Sequence, residues 1–221
     1  MTSWAIPGRL VKPAVMIGLA GGFLFLNACG QEQDELPEIS AEEAAQVGEI
    51  GGDASGELLR TLVGRLTAAI EEGGPAHAVD FCSTEAIPLT RMVEARLEGG
   101  VKLKRTSFRY RNPDNAPDEA ETEALRYFEN HVVSGEPVPS RYVQRVSNTE
   151  LRYYQPLFVG EVCLQCHGDR DSISPAVLEK VDANYPTDLA TGYKAGDFRG
   201  VVRVTIPTAL LEEGEGPSSL P

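Results

Sequence analysis

The stretch YYQPLFVGEVCLQCHGD, residues 153 to 169, constrains this chain more than any other part of its sequence. Cys163 and Cys166 stand two residues apart, and His167 follows the second directly. On one short helical turn, two thiols at this spacing lie close enough to bond one planar ligand at two points. In C-x-x-C-H the thiols add to the two vinyl groups of a haem, and the adjacent histidine ligates the iron from one face. The motif therefore predicts one covalently bound haem c, with His167 as the proximal iron ligand. A structural disulfide, half of a zinc site and a redox-active pair are the competing uses of such cysteines. A zinc site needs two more ligands at paired spacing, and Cys29, Cys82, His77 and His131 supply no second C-x-x-C or H-x3-5-H. A thioredoxin-like pair belongs in a βαβ unit, and the pattern around residue 163 shows none.

Haem c is attached outside the bacterial cytoplasm, so the chain must be exported, and its N-terminus agrees. Arg9 and Lys12 precede an apolar run from Ala14 to Leu26, right for a signal peptide and short for a membrane span. The run ends in LNACG, which resembles a lipoprotein cleavage box. Residues 1–28 are thus expected to be a lipoprotein signal peptide and Cys29 the lipidated N-terminus of the mature chain. Several acyl chains on one residue suffice for stable attachment. The expected location is the periplasmic side of a membrane, and Gly30 after the cysteine suits the outer membrane of a host that has one.

Residues 29–221 are long enough for one substantial core and short for two. Without Arg9 and Lys12 the mature chain carries 18 basic and 33 acidic residues, a net charge of −15. Such acidity argues against nucleic acid as a partner and is compatible with a basic redox partner. GQEQDELPEIS, from Gly30 to Ser40, reads with Cys29 as an acidic tether over 29–40.

Beyond the tether, Leu58, Leu59, Leu62, Val63, Leu66 and Ile70 recur at helical spacing within 41–72, with Gly51-Gly52 as a predicted break. EEGGP closes that region, and a second helix is expected over 76–98 with a kink near Pro88. VKLKRTSF alternates like a strand. RNPDNAPDE supplies turns and an N-cap for a helix over 118–133. Segments 141–147 and 150–159 are rich in strand formers, 169–197 reads as loop, and FRGVVRVTIP is the clearest strand. The tail over 211–221 reads as disordered. Helices followed by interleaved strands predict an α+β fold with an antiparallel sheet, its folded domain spanning 41–210.

The sixth position on the iron sets the potential and the access of small molecules. Met92, His77, His131 and Cys82 are the candidates in the mature chain. Met92 sits in an apolar helical pattern and suits the core. His77 falls near a helix start, and His131 near a helix end, where a histidine suits the dipole. Cys82 is the odd thiol once the other three are assigned, which makes it either a ligand or a buried inert cysteine.

AVDFCS, RNPDNAP, YYQPLFVGEVCLQCHGD and YPTDLATGYKAGDFRG together resemble a haem-c domain family, first catalogued as a domain of unknown function, with a PAS-like fold. Its members occur as free-standing periplasmic proteins and as sensor modules, and the likeness covers about residues 45 to 207. The resemblance implies a PAS-like antiparallel sheet flanked by helices after an N-terminal helical region. It further implies Cys82, in the FCS motif, as the distal ligand opposite His167. On charge and position alone, Arg109 and Arg111 are expected at the haem propionates and Tyr154 in the pocket lining. The implied role is a redox-responsive or gas-responsive haem sensor that takes nitric oxide or carbon monoxide. No output domain follows residue 207, so a separate signalling protein would receive the state. A low-potential electron carrier is the alternative. A peroxidase-type enzyme is disfavoured, because no distal His-Arg pair can be placed and a filled sixth site blocks substrate.

Overall fold

The computed structural model describes residues 36–212. The expected signal peptide, Cys29, most of the tether and the tail from residue 213 lie outside the described residues. Helix α1 spans Ala41–Glu94, β1 Lys102–Thr106, α2 Glu119–Ser134, β2 Tyr142–Ser147 and β3 Glu150–Phe158. Then come α3, Leu164–His167; α4, Pro175–Asn184; β4, Phe198–Pro207; and α5, Ala209–Glu212. Among the described residues, no helix is long and apolar enough to cross a membrane.

A capping box starts α1: Ser40 Oγ accepts from the Glu43 amide at 3.1 Å, and Glu43 Oε2 accepts from the Ser40 amide at 2.9 Å. The helix does not break at Gly51-Gly52, contrary to the sequence expectation. Tyr153 packs so closely that a Cβ at Gly51 would overlap its ring, so this glycine serves packing and leaves the helix intact. The break falls at Gly74, whose φ of 78° and ψ of 179° are open to glycine alone. Pro75 restarts the helix, its fixed φ suited to a first turn. Two helical arms, 41–73 and 75–94, therefore meet at an angle and can wrap one space from two sides.

The four strands are antiparallel in the order β1-β4-β3-β2. Alternation along each strand assigns the two faces. Leu103, Val204 and Tyr153 lie in cross-strand register and pack with Val202, Leu151 and Ile206 against Val47, Ala54, Leu58 and Val93 of α1. Val201 and Tyr154 point the other way, onto Ala124, Leu125 and Phe128 of α2. This is an α+β sheet covered by helices on both faces. Leu211 of α5 is buried in the α1 cluster, so the ordered fold extends past residue 210.

The stretch 169–197, expected as loop, contains α4. Ser174 caps it by accepting from the Val177 amide, and Pro175 occupies its first turn. Val177 and Val181 bury against Val79 of α1 and Tyr185. Four-residue spacing over a ten-residue helix is a short pattern, and flanking turn residues hide it.

Gly51→Ala is expected to lower stability by about 1–3 kcal/mol, because the added methyl must displace a buried tyrosine ring. Urea denaturation of the folded domain checks this, and an unchanged midpoint would show that α1 does not pack this closely on β3.

Candidate functional site

On the α1 side of the sheet the fold leaves a cavity of about 330 Å³. Leu59, Leu62, Leu66 and Ile70 line it from the first arm of α1, and Val79, Phe81, Cys82 and Ile87 from the second. Leu157, Phe158 and Val159 close it from the end of β3. The helical stripe seen in the sequence thus divides: Leu58 enters the core, while the residues after it face open space. At the mouth, Val63, Phe158 and Val162 are each about half exposed.

The C-x-x-C-H segment forms the opposite wall. After β3, a 3-10 turn over Glu161–Cys163 runs directly into α3, and both thiols and the His167 ring face the cavity. The Cys163 amide donates to Gly160 O at 3.0 Å, which tightens the turn. Cys82, Cys163 and Cys166 are free cysteines in the structure. Among the described residues, no three His, Cys, Asp or Glu side chains are grouped to hold a metal ion.

His167 Nδ1 lies 2.7 Å from Ala190 O. A carbonyl can only accept, so Nδ1 carries the proton and Nε2 keeps its lone pair. Burial, followed by the charges of Arg111 and Arg199, lowers the imidazole pKa to about 3, so the ring is neutral across physiological pH. Its edge meets the Tyr193 ring at 6.4 Å and 84°.

An ion pair holds Ala190 in place. Arg111 Nε donates to Asp188 Oδ1 at 2.9 Å and Nη2 to Oδ2 at 3.3 Å, with Asp188 only 3% exposed. Asp188 Oδ1 also accepts from the Ala190 amide at 3.0 Å, and Arg111 Nη2 donates to Cys166 O at 2.6 Å. One guanidinium thereby ties the C-x-x-C-H turn to the loop whose carbonyl orients its histidine. Two further bonds join the same segments, from the Gly192 amide to Gly168 O at 2.7 Å and from the Tyr193 amide to His167 O at 2.9 Å.

Cys82 faces the cavity from the second arm of α1. Burial pushes its thiol pKa up, and the charges of Arg105 and Arg111 oppose that shift. Tyr185, also in the lining, is pushed up to about 12, first by burial. Arg105, Arg111 and Arg199 all line the cavity, and burial leads the lowering of Arg105 and Arg199 below the ordinary guanidinium range.

Of the residues singled out in the sequence, Cys82, Arg111, Cys163, Cys166 and His167 come together here. Tyr154 does not: it is fully buried on the α2 face, its hydroxyl donating to Gln144 Oε1 at 3.0 Å. Strand alternation sends Tyr153 to the α1 face and so sends Tyr154 away from the cavity. Arg109 is outside the lining as well. It lies 3.9 Å over the Tyr193 ring and donates to Leu189 O at 3.2 Å and to Thr191 O, bracing the loop from outside. Arg111 is committed to Asp188. Among the other sixth-position candidates, Met92 is on the surface beside Arg96, His77 is exposed near Glu72, and His131 donates to Tyr127 O at the end of α2. Sequence reasoning missed Arg105, Arg199, Asp188 and Tyr185. Alternation in VKLKRTSF carried a signal for Arg105, since it shares the inward face of Leu103.

Asp188→Ala is expected to cost about 3–5 kcal/mol, because it strands a buried guanidinium. Asp182→Ala removes the exposed pair between Arg170 and Asp182 and is expected to cost less than about 1 kcal/mol. Denaturant titration of the two variants side by side checks the ranking, and equal losses would remove Asp188 from its structural role.

A family model described as Tll0287-like matches residues 31–207. No curated protein matches the chain. A solved structure titled as the cyanobacterial heme-protein Tll0287 is 26% identical, with a TM-score of 0.54, covering 76% of this chain and 96% of that one. A match over this much of the sequence, joined to the likeness in fold, settles the family: the chain belongs to the Tll0287-like family.

Proposed function

We propose that this protein is an exported c-type cytochrome that carries one haem through Cys163 and Cys166, with His167 and Cys82 as axial ligands. The observation that carries the reading is a single cavity walled on one side by two thiols and a free imidazole Nε2, and on the other by a third thiol. The residues fit the group. The lining is largely apolar, the two thiols belong to one turn, and the tautomer set by Ala190 O leaves the ligating nitrogen bare. The solved relative's title names it a heme-protein, which agrees.

Bound haem supplies a one-electron couple and an iron able to take an axial ligand. The chain's own residues do the rest. Cys163 and Cys166 would hold the group through thioethers, each thiol adding its sulfur and hydrogen across one vinyl group with no oxidant needed. Ala190 O, held by Asp188 and Arg111, keeps the His167 ring oriented. Arg105 and Arg111 favour the thiolate form of Cys82 against its burial. Thiolate ligation stabilises the ferric state and lowers the potential.

The role we favour is a sensor module that responds to redox poise or to a small gas such as nitric oxide or carbon monoxide, and passes its state to a separate protein. A filled sixth site argues against catalysis. The half-exposed rim of Val63, Phe158 and Val162 favours a second reading, a low-potential electron carrier with one ligand edge near the surface. Lipidation of Cys29 would hold either protein at the periplasmic face of a membrane, the outer one where the host has two.

Replacing both Cys163 and Cys166 by alanine is expected to give protein from which acid-acetone extracts the haem; haem that resists extraction would sink the covalent assignment. Cys82→Ser is expected to keep the haem and change the ferric electron paramagnetic resonance signature, and an unchanged signature would remove Cys82 as a ligand. Carbon monoxide added to the reduced protein separates the two roles: a Soret shift supports the gas sensor, and its absence supports electron transfer or sensing by redox state alone.

A further inference from the structure

Three arginines line the cavity, and one has a carboxylate partner. Arg111 is satisfied by Asp188, whereas neither Arg105 nor Arg199 forms an ion pair with any described residue. Arg199 Nη1 donates to Ser107 Oγ at 2.9 Å and to Arg109 O at 2.9 Å, and its guanidinium lies 5.3 Å over the Tyr193 ring. Those partners are neutral and leave its charge uncompensated. Arg105 stands on the inward face of β1, in register with Val202 of β4. A partly buried guanidinium with no anion is costly, and each carries a planar fork of donors matched to a carboxylate.

The pairing of β1 with β4 brings both arginines to the lining of one cavity. Gly200, next to Arg199, has φ of 142°, and a Cβ there would overlap Thr106 O, the neighbour of Arg105. Only glycine lets β4 close on β1 at this point. Arg109 and Arg111 have other commitments, as shown above, so they offer no free fork to a ligand.

Resting on the haem reading above, we infer that Arg105 and Arg199 are the two carboxylate-binding residues of the cavity and take the two haem propionates. They thereby balance two cationic groups with two anionic ones. They also tune the couple, because a cation near the iron disfavours the oxidised state, and its removal lowers the midpoint potential.

The test uses holoprotein produced with haem labelled with 13C at the propionate carboxyls, so that infrared difference spectra report those groups alone. Arg105→Met is expected to shift one labelled carboxylate band, and Arg199→Met the other, each with a fall in midpoint potential. Arg105→Lys and Arg199→Lys, which keep the charge and guard against failure to fold, are expected to recover most of the potential. Labelled bands unmoved in both methionine variants, with haem retained, would overturn this assignment and leave the function reading standing. A band unmoved only in Arg105→Met overturns the Arg105 half and makes that residue a counter-ion for Cys82. Wild-type protein that carries no haem overturns both the assignment and the reading beneath it.

Discussion

Asp188 is nearly excluded from water, and a carboxylate in that position must be paired. Its partner is Arg111, and the pair joins three segments that are distant in sequence: the turn region after β1, the C-x-x-C-H helix, and the loop before β4. The orientation of His167 follows from it. Ala190 O accepts from Nδ1 only because Asp188 holds the Ala190 amide and Arg111 holds the carbonyl of Cys166. With Nδ1 held by this backbone carbonyl, Nε2 keeps its lone pair toward the cavity.

The cavity depends on a second constraint, the division of α1 at Gly74. A straight helix of that length would lie along one face of the sheet and leave its apolar stripe exposed beyond the sheet's end. The break turns the second arm back, so that Leu62 and Leu66 on one arm face Val79 and Cys82 across a shared space. Helix α4 then supports the second arm through Val79, Val177 and Val181, with Lys180 paired to Asp80 at 2.7 Å on the surface. The stripe that in an ordinary domain would meet other side chains here meets a ligand-sized space.

Charge is distributed unevenly around that space. The chain is strongly acidic, yet three guanidiniums line the cavity and no carboxylate among the described residues does, Asp188 pairing with Arg111 behind the lining. Burial first, then the charges of Arg111 and Arg199, keeps His167 neutral, while burial raises the Cys82 thiol pKa against the opposing charges of Arg105 and Arg111.

Much of this was legible in the sequence. C-x-x-C-H at 163–167 and the odd thiol at Cys82 marked the chemistry, because ligand types and their local spacing survive any fold. Strand alternation in FRGVVRVTIP and the capping signals before α2 marked the sheet and its cover, because they rest on contacts close in the chain. The sequence by itself thus determined the site's reactive groups and the α+β class. Tertiary structure decided which charges serve the site. Tyr154 and Tyr153 are equivalent in sequence, and only the packing of α1 and α2 on opposite faces sends one to the helix core and the other beneath Gly51. Arg109 and Arg111 look alike in FRYRNPDNAP, yet loop closure gives one a tyrosine face and the other a buried carboxylate. Arg105 and Arg199 face the cavity because β1 and β4 pair, a contact between residues nearly a hundred positions apart that no local pattern encodes.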